Sequence, residues 1–501
     1  MKRKISWFFF YLILFLSFLI IFSSNWVENT FGLINMDSLL FHLNVPLKGS
    51  ESGMVIKYLK DPLFKTIFCL LLSVFIINYK YEFKPFITLK IFKKKFEDID
   101  IFKIFLKNKI LLVILFFVFS IIIFCEKFDV IEYYKNLTTY STFIDNNYVE
   151  PENIEIEFSS KRNLIYIMVE SLEYTFADKA NGGAYNENLI PHLTNYAKEE
   201  VSFTNSNGGG FINSRATGWT IAAMVGQSAG IGFTVPGSGN DYGQYSEFLP
   251  GAYSLGDVLE KRGYNQTLLI GSDVDFAGRK DYYEQHGNYQ IKDYKYAKEN
   301  NWIEDDYYVW WGYEDSKLFE FAKTELTDLA SQKEPFNLTL LTTNTHHIGG
   351  YLEDDCEVKY DEQLKNVVLC TDKQIYEFVE WIKKQNFYEN TTIVITGDHL
   401  SMEPTFFNNL DNYERTSYNL FINANKEPVN NNNRSFNTLD IYPTIIGSLG
   451  GNIKGDRLAL GTDLFSETKT LYEEFGRNYV DNEYAKNSKY FKNHIIYGKD
   501  A

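Results

Sequence analysis

Long apolar runs dominate the first quarter of the chain and predict membrane helices. The first run, 5–24, has twenty residues without a charge, and a helix needs about 20 residues to cross a hydrocarbon layer of about 30 Å. Shorter runs follow at 62–78 and 110–126. A secretory signal peptide would have a shorter apolar core and a small-residue cleavage site, so we expect a retained helix. The two shorter runs could be buried helices of a soluble core, but their all-round apolar character favours three transmembrane helices within a membrane region 1–126.

The distribution of lysines predicts the orientation of these helices. Segment 80–109 carries nine lysines against four acidic residues, whereas 25–61 carries three lysines. The positive-inside rule then places 80–109 and the N-terminal MKRK in the cytoplasm, although a merely solvated lysine loop is the alternative. Three crossings leave the rest of the chain outside. We therefore expect a multi-pass protein of the bacterial inner (cell) membrane with an extracytoplasmic, periplasmic domain.

The pattern changes after the membrane region. Residues 127–160 have the character of a linker, and 161–501 alternate between short β-rich apolar runs and helical patterns. Four apolar runs of the buried parallel type predict strands at 163–169, 267–270, 336–341 and 392–396. This alternation predicts an α/β domain with a mostly parallel sheet flanked by helices.

Charge and cysteines narrow the partners and the compartment. The formal net charge is −16, which argues against a nucleic acid as partner, because phosphate backbones need a basic surface. Cys356 and Cys370 lie in a polar stretch of the soluble part. Outside the cytoplasm such a pair can form a disulfide, and the alternative is two unrelated free thiols.

Polar side chains follow three of the predicted strands. Glu170 follows the first strand, His346 and His347 follow the third, and Asp398-His399 follow the fourth. Sites in open α/β sheets form at the carboxyl ends of strands, and carboxylates with imidazoles are ligands of divalent metals. Each feature alone could be a helix N-terminal charge or a cap. Together they predict a metal site.

Thr220 is the candidate nucleophile. The stretch Gly208–Gly218 is polar and glycine-rich, and it gives way to a small, apolar helical pattern at Thr220. A hydroxyl at a helix N-terminus meets free backbone N–H groups, which suit a bound phosphate and an attacking oxygen. A plain N-cap role is equally consistent with this pattern.

At these residues the chain resembles the sulfatase/alkaline-phosphatase-like phosphoglycerol transferases, which include lipoteichoic acid synthase. The motifs that carry the resemblance are NLIYIMVESLE at 163–173, GWTIAAMVGQSAGI at 218–231, LTTNTHH at 341–347 and TIVITGDHLSM at 392–402. The branch that modifies periplasmic glucans is the most similar, on the cysteine pair and on WTIAAMVGQ. The nucleophile motif of sulfatases, C/S-x-P-S-R, is absent.

The resemblance implies a set of site residues. Glu170, Thr220, Asp398 and His399 would bind one divalent metal (Mn²⁺, Mg²⁺ or Zn²⁺). Thr220 would be the nucleophile and His346 a second catalytic residue. Arg279, in SDVDFAGRKDYY, and His347 would contact the substrate.

The resemblance also implies an activity. We expect transfer of glycerol phosphate from phosphatidylglycerol in the membrane to a hydroxyl of a cell-envelope glycan or polymer, through a metal-activated threonine. One alternative is a phosphoethanolamine transferase acting on an envelope lipid or glycan. Another is a phosphodiesterase or sulfatase-like hydrolase, and a third is a non-catalytic binding protein that kept the fold.

Overall fold

A computed structural model of the 501-residue chain describes residues 2–32, 34–44, 52–78, 90–91, 94–95, 101–233, 247–403, 405–408, 410 and 412–498. The helices are α1 Lys2–Phe31, α2 Met36–Asn44, α3 Ser52–Tyr58, α4 Phe64–Asn78, α5 Ile101–Lys127, α6 Val130–Thr138, α7 Phe143–Asn147, α8 Pro191–Glu199, α9 Thr220–Ala229, α10 Leu255–Glu260, α11 Arg279–Gln285, α12 Tyr294–Glu299, α13 Asp315–Ala330, α14 Gln363–Ile382, α15 Ile441–Ser448, α16 Leu471–Phe475 and α17 Arg477–Ala485. The strands are β1 Lys90–Ile91, β2 Lys94–Lys95, β3 Ile156–Phe158, β4 Asn163–Val169, β5 Asn265–Ile270, β6 Gln290–Lys292, β7 Phe336–Leu341, β8 Thr391–Gly397, β9 Asn419–Ile422, β10 Gly451–Ile453, β11 Arg457–Leu458 and β12 Gly461–Thr462.

The described chain divides into two compact units. The first comprises residues 1–36 and 51–132, and the second comprises 37–50 and 133–501. Residues 37–50, which the apolar pattern assigns to the membrane region, thus group with the second unit. In that unit the carboxylate of Asp37 accepts a hydrogen bond of 2.6 Å from Arg215. The predicted domain bounds remain a prediction.

Among its described residues, the first unit contains two helices long and apolar enough to cross a membrane, Ser6–Phe31 and Asn108–Lys127. They contain residues 6–24 of the predicted span 5–24 and the whole of the predicted span 110–126. The predicted span 62–78 corresponds to α4, which has 15 residues and follows a π-helical turn at Leu59–Leu63. Three crossings therefore remain a prediction. Much of the lysine-rich segment 80–109, from which the orientation was predicted, lies outside the described residues.

A six-stranded sheet forms the centre of the second unit, in the order β6-β5-β7-β4-β8-β9. All neighbouring pairs are parallel except β8 and β9. The four predicted strands correspond to β4, β5, β7 and β8, so the mostly parallel α/β architecture is confirmed. The short strands β6 and β9 were not predicted.

Both faces of the sheet are covered, which explains the continuous apolar runs. In β4, Leu164, Tyr166 and Met168 belong to one buried cluster, which also contains apolar residues of α9, α10 and α15. Ile165, Ile167 and Val169 belong to a second cluster, with apolar residues of α8, α13 and α14. Because side chains alternate along a strand, a strand buried on both faces is apolar at every position.

The strand register brings the predicted site segments to one edge. Val169 at the end of β4 pairs with Gly397 at the end of β8, and Met168 pairs with Leu341 at the end of β7. Ile270 at the end of β5 also pairs with Leu341. The loops that follow these four adjacent strands therefore start side by side at the carboxyl edge of the sheet.

Candidate active site

Glu170 is held at the end of β4 by a tight turn. Its side chain is 2% exposed, and its backbone N–H donates to the hydroxyl of Thr342 at 3.0 Å. The next residue, Ser171, has a left-handed backbone with φ of 55°, and its hydroxyl donates to Glu170 Oε1 at 2.8 Å. A left-handed conformation is uncommon for a non-glycine residue and frequent at functional sites. The turn and the Ser171 hydroxyl thus hold Glu170 Oε1 in one position.

Asp398 presents one satisfied and one orphaned oxygen. Its Oδ1 accepts hydrogen bonds of 2.7 Å from the backbone N–H groups of Ser171 and His399. Its Oδ2 is buried and has no hydrogen-bond partner among the described residues. A buried carboxylate oxygen without a partner is costly, so its presence points to a ligand.

His399 has a defined tautomer. Its Nδ1 lies 2.8 Å from the carbonyl oxygen of Leu400, so Nδ1 carries the proton and donates, and the lone pair of Nε2 is available. Nε2 lies 3.4 Å from Asp398 Oδ2 and 3.6 Å from Glu170 Oε1. The ring is therefore oriented toward both carboxylates.

Thr220 completes this cluster from another part of the chain. It is the first residue of α9, and Trp219 occupies the N-cap position without a side-chain cap bond, so the alternative in which Thr220 is a plain N-cap does not hold. Its hydroxyl donates to Glu170 Oε2 at 3.4 Å and lies 3.5 Å from His399 Nε2. Thr220 is partly buried.

These residues fit a divalent cation. One ligand atom each from Glu170, Asp398 and His399 lies within 4.8 Å of the other two, and all three residues are buried. Two carboxylates and one imidazole are a donor set that zinc and manganese share. The orphaned Asp398 Oδ2 would gain a partner from such an ion. The structure thus brings together Glu170, Thr220, Asp398 and His399, as the resemblance implies.

The electrostatics of the cluster also favour a cation. Burial, and to a smaller extent the charge of Glu170, raise the pKa of Asp398 to about 7. Burial opposes ionisation of Glu170 as well, but the charges of His346 and His399 lower its pKa. Burial disfavours a charged His399, yet the two carboxylates raise its pKa. A bound cation would relieve the repulsion between Asp398 and Glu170.

His346 and His347 lie beside this cluster. Burial lowers the pKa of His346, and the charge of Glu170 acts in the opposite direction. His346 Nδ1 donates to the carbonyl oxygen of His347 at 2.6 Å, which leaves Nε2 as the acceptor. The two rings stack with centroids 4.5 Å apart. His347 is only 3% exposed, so its predicted contact with the substrate remains a prediction.

Arg279 lies at the start of α11, in the loop region that follows β5. Its guanidinium donates to the carbonyl oxygens of Phe276 and Asp273, each at 3.0 Å. Burial lowers its pKa to about 10, and the charge of Glu170 acts on it. It therefore stays charged at neutral pH near the cluster, where a phosphate would complement it.

Gln227 is a buried residue of the site that sequence reasoning missed. From α9 its amide donates to the carbonyl oxygens of Gly397 at 3.0 Å and Asp398 at 3.1 Å. Its Oε1 accepts from the hydroxyls of Tyr166 at 2.6 Å and Thr396 at 2.7 Å. Gln227 thus joins α9, which begins at Thr220, to the end of β8, which Asp398 follows. Its signal in the sequence is one amide side chain in an otherwise small and apolar helix.

A partly buried ion pair that was also missed holds the loop after His399. Glu173 pairs with Arg415 and accepts a hydrogen bond of 2.8 Å from the backbone N–H of Ser401. Arg415 also donates to the carbonyl oxygen of Ser401 at 2.7 Å. The partners are 242 residues apart in the chain, so no local pattern could have paired them.

Cys356 and Cys370 form a disulfide, with their Cα atoms 5.6 Å apart. Cys370 lies on α14 and Cys356 on the loop that follows His347. Two further contacts fix the same loop, because Gln363 donates to the carbonyl oxygen of Gly350 at 2.7 Å and Gln374 donates to Glu353 at 2.9 Å. The disulfide therefore ties the loop beside the site to a core helix.

Comparison with known proteins places this site in a family. Residues 162–451, more than half of the chain, match the model of the family described as Sulfatase. The chain belongs to the sulfatase family. The matched region contains all four motifs, so the family resemblance that they suggested is confirmed.

The relatives of this sulfatase-family chain include curated phosphoglycerol transferases. Phosphoglycerol transferase I of Xanthomonas campestris pv. campestris (strain B100) is 32% identical over 293 residues, which cover 57% of this chain and 40% of the relative. Phosphoglycerol transferase I of Salmonella paratyphi B is 31% identical over 301 residues, which cover 58% and 38%. The chain thus spans about two fifths of the length of these relatives. Among solved structures, the lipoteichoic acid synthase LtaP from Listeria monocytogenes has a TM-score of 0.48 and 17% identity, covering 64% of this chain and 80% of that chain.

Proposed function

We propose that this protein is a membrane-anchored phosphoglycerol transferase that moves glycerol phosphate from phosphatidylglycerol to a hydroxyl of an envelope glycan or polymer. The observation that carries the proposal is the position of the Thr220 hydroxyl, 3.4 Å from Glu170 Oε2 and 3.5 Å from His399 Nε2, beside an orphaned carboxylate oxygen. The names of the curated relatives support the choice of transferred group.

Glu170, Asp398, His399 and Thr220 would hold one divalent cation. When bound, the cation supplies positive charge that stabilises an ionised Thr220 oxygen and the phosphoryl oxygens of the substrate. Mn²⁺, Mg²⁺ and Zn²⁺ all accept carboxylate and hydroxyl oxygens, and the imidazole nitrogen of His399 favours Mn²⁺ and Zn²⁺ over Mg²⁺.

The reaction has two displacements at phosphorus. In the first, Thr220 Oγ forms a bond to phosphorus, and the bond to the diacylglycerol oxygen breaks. Thr220 loses one proton in this step and the leaving diacylglycerol oxygen gains one, so the step balances. In the second, an acceptor hydroxyl attacks the phosphoglycerol ester of Thr220, and the threonine oxygen leaves and regains a proton.

His346 is the candidate for proton transfer in both steps. Because its Nδ1 proton is donated to His347, its Nε2 is the atom that accepts a proton from the acceptor hydroxyl and returns one to a leaving oxygen. Arg279 supplies the positive charge that attracts the phosphate. Hydrogen bonds hold the Arg279 side chain in place before substrate arrives.

The membrane helices fit a lipid donor. A phospholipid headgroup stays at the bilayer surface, so a tethered enzyme meets it more often than a free one. We propose that the second unit works on the outer side of the inner membrane, in the periplasm. The Cys356–Cys370 disulfide supports this location, because disulfides persist in oxidising compartments.

Mass spectrometry of the peptide that contains Thr220 tests the proposal. After incubation with phosphatidylglycerol and Mn²⁺, but without acceptor, we expect a mass increment of one glycerophosphate on Thr220. Thr220→Ala should lose the increment and the release of diacylglycerol, whereas Thr220→Ser should keep both at a lower rate. An increment from phosphatidylethanolamine instead would favour the phosphoethanolamine transferase. Turnover by Thr220→Ala would exclude Thr220 as the nucleophile.

A further inference from the structure

Two adjacent tryptophans border the candidate active site, and the transfer chemistry leaves them unexplained. The ring of Trp311 lies 4.7 Å from the ring of His346 and 6.1 Å from that of Phe276, measured between centroids. Trp310 stacks with Tyr351 at 6.4 Å, and its Nε1–H donates to the carbonyl oxygen of Thr343 at 3.2 Å. The pair thus joins the loops that follow β5 and β7, next to His346. We refer to Trp310, Trp311 and Tyr351 as the aromatic edge.

The backbone holds these rings in a fixed and strained position. Trp310 has φ of 56°, and a left-handed conformation is a genuine outlier for a bulky residue. Gly312 packs against the backbone of Gly271, the residue after β5. A Cβ added at position 312 would lie 2.1 Å from the carbonyl oxygen of Gly271, so a larger residue does not fit there. Strain that the surrounding structure maintains is characteristic of binding and catalytic positions.

The aromatic edge is accessible. Trp310, Trp311 and Tyr351 are partly exposed, and the neighbouring Tyr308 and Ile348 are 54% and 39% exposed. Aromatic rings at the mouth of a site commonly form the apolar walls of a ligand pocket, where a few polar groups add specificity. The surface is therefore suited to a ligand with an apolar face.

The negative charge of the surrounding loops restricts the charge of the ligand. Segment 304–314 carries four acidic residues and no lysine or arginine, and segment 351–362 carries six acidic residues and one lysine. Such loops disfavour an anionic group at the aromatic edge itself, as distinct from the donor phosphate that Arg279 is proposed to attract. Their carboxylates accept hydrogen bonds from hydroxyl groups. A neutral, hydroxyl-rich molecule fits both properties.

We propose that the aromatic edge is the acceptor subsite and binds a sugar ring of a neutral glycan beside His346. A sugar ring has an apolar C–H face that packs on an aromatic ring and hydroxyls at its rim that the acidic loops can bind. A ring bound here has its hydroxyls close to His346, the residue assigned to take the acceptor proton. The inference rests on the proposed function and adds the residues that bind the acceptor.

Calorimetric titration of the full-length protein in detergent micelles tests this subsite. The probes are neutral hexasaccharides of glucose, galactose or N-acetylglucosamine, with dioctanoyl phosphatidylglycerol as the lipid arm. We expect at least one hexasaccharide to bind, Trp311→Ala to weaken it about tenfold or more, and Trp311→Phe to keep most of the affinity because the ring remains. Trp381→Phe is the matched control and should bind normally, since Trp381, on α14, packs against Phe378 and Phe387.

Three results would overturn the subsite. These are no saccharide binding by the wild-type protein, undiminished binding by Trp311→Ala, or a loss confined to the lipid arm, which would assign the aromatic edge to the donor. Release of diacylglycerol from phosphatidylglycerol is measured on the same wild-type preparation. Release without saccharide binding overturns the subsite and leaves the proposed function. Absence of release overturns the proposed function, and the acceptor role with it.

Discussion

The candidate metal cluster and the aromatic edge meet at His346 but are built in opposite ways. Glu170, Asp398 and His399 directly follow the central strands β4 and β8, and all three are buried. Trp310, Trp311 and Tyr351 lie on loops and are partly exposed. In the cluster, hydrogen bonds of Asp398 Oδ1, His399 Nδ1 and Glu170 Oε1 with their neighbours hold the three residues in place before any ion binds. At the aromatic edge, ring stacking and one strained residue fix the position.

This difference indicates which part of the protein carries out the reaction and which part selects the acceptor. Groups that act on the reacting phosphorus need positions accurate to a fraction of an ångström, which strand ends in a buried sheet supply. Groups that choose the acceptor need a surface that can differ among relatives, which loops on a rigid scaffold supply. We infer that the metal cluster defines the chemistry of this protein and the aromatic edge defines its partner.

The largest expected effect comes from Asp398→Asn, which breaks the cluster. The variant should lose the increase in thermal midpoint that Mn²⁺ gives to the wild type, where a ligand at 100 times its dissociation constant contributes about 2.7 kcal/mol. Diacylglycerol release should fall by about 10³-fold or more. Without metal, however, the variant should be as stable as the wild type or more stable, because a buried unpartnered charge costs about 1–3 kcal/mol or more.

Thermal melts with Mn²⁺ and with EDTA measure this effect. Asp355→Asn, at an exposed position, is the control and should melt like the wild type in both conditions. A normal metal-dependent shift in Asp398→Asn would exclude Asp398 as a ligand.

A smaller effect is expected at Gln227, which joins the helix of Thr220 to the strand of Asp398. Gln227→Ala leaves two carbonyl oxygens and two hydroxyls without their partner, so we expect a loss of about 1–3 kcal/mol in stability. We also expect about tenfold slower formation of the Thr220 ester, because the hydroxyl and the carboxylate are no longer held together. Chemical denaturation and single-turnover kinetics measure the two effects. Gln332→Ala, on an exposed loop, should change neither, and an unaltered rate in Gln227→Ala would remove its positioning role.

The smallest effect on activity is expected at Asp315, where the readout is the dependence of stability on pH. Asp315 accepts hydrogen bonds from the backbone N–H groups of Thr343 at 2.8 Å and Asn344 at 3.1 Å. Burial raises the pKa of Asp315 from 3.8 to about 7. Between these values the folded protein keeps a proton that the unfolded chain releases, so this contribution to stability falls as pH rises from about 4 to about 7.

Asp315→Asn removes that proton. The decline of stability over this range should become shallower by at most about 1.4 kcal/mol per pH unit. Thermal melts from pH 4 to 8 measure it, with Asp328→Asn as control, since Asp328 is exposed on the same helix. A decline as steep as that of the wild type would assign the titration to another group.

Much of the central sheet could be predicted because β4, β5, β7 and β8 are buried on both faces and therefore have continuous apolar runs. Strands β6 and β9 have three and four residues, too few to produce a recognisable pattern. The ends of the predicted strands also located Glu170 and Asp398-His399, since parallel strands share one carboxyl edge.

The supporting residues could not be predicted in the same way. Gln227 and Asp398 bond across 171 residues, and Glu173 and Arg415 pair across 242. The aromatic edge depends on a left-handed backbone at Trp310 and on stacking between two loops. Neither a tertiary hydrogen bond nor a ring contact leaves a periodic signal in the chain, so these parts required the structure.

The central claim is that Glu170, Asp398, His399 and the Thr220 hydroxyl surround one divalent cation. Anomalous diffraction at the manganese edge, from crystals of the protein grown with Mn²⁺, tests it most directly. We predict a single strong anomalous peak bounded by one oxygen each of Glu170, Asp398 and Thr220 and by His399 Nε2, at about 2.0–2.3 Å from each. A peak elsewhere, or no peak among these four side chains, would contradict the account.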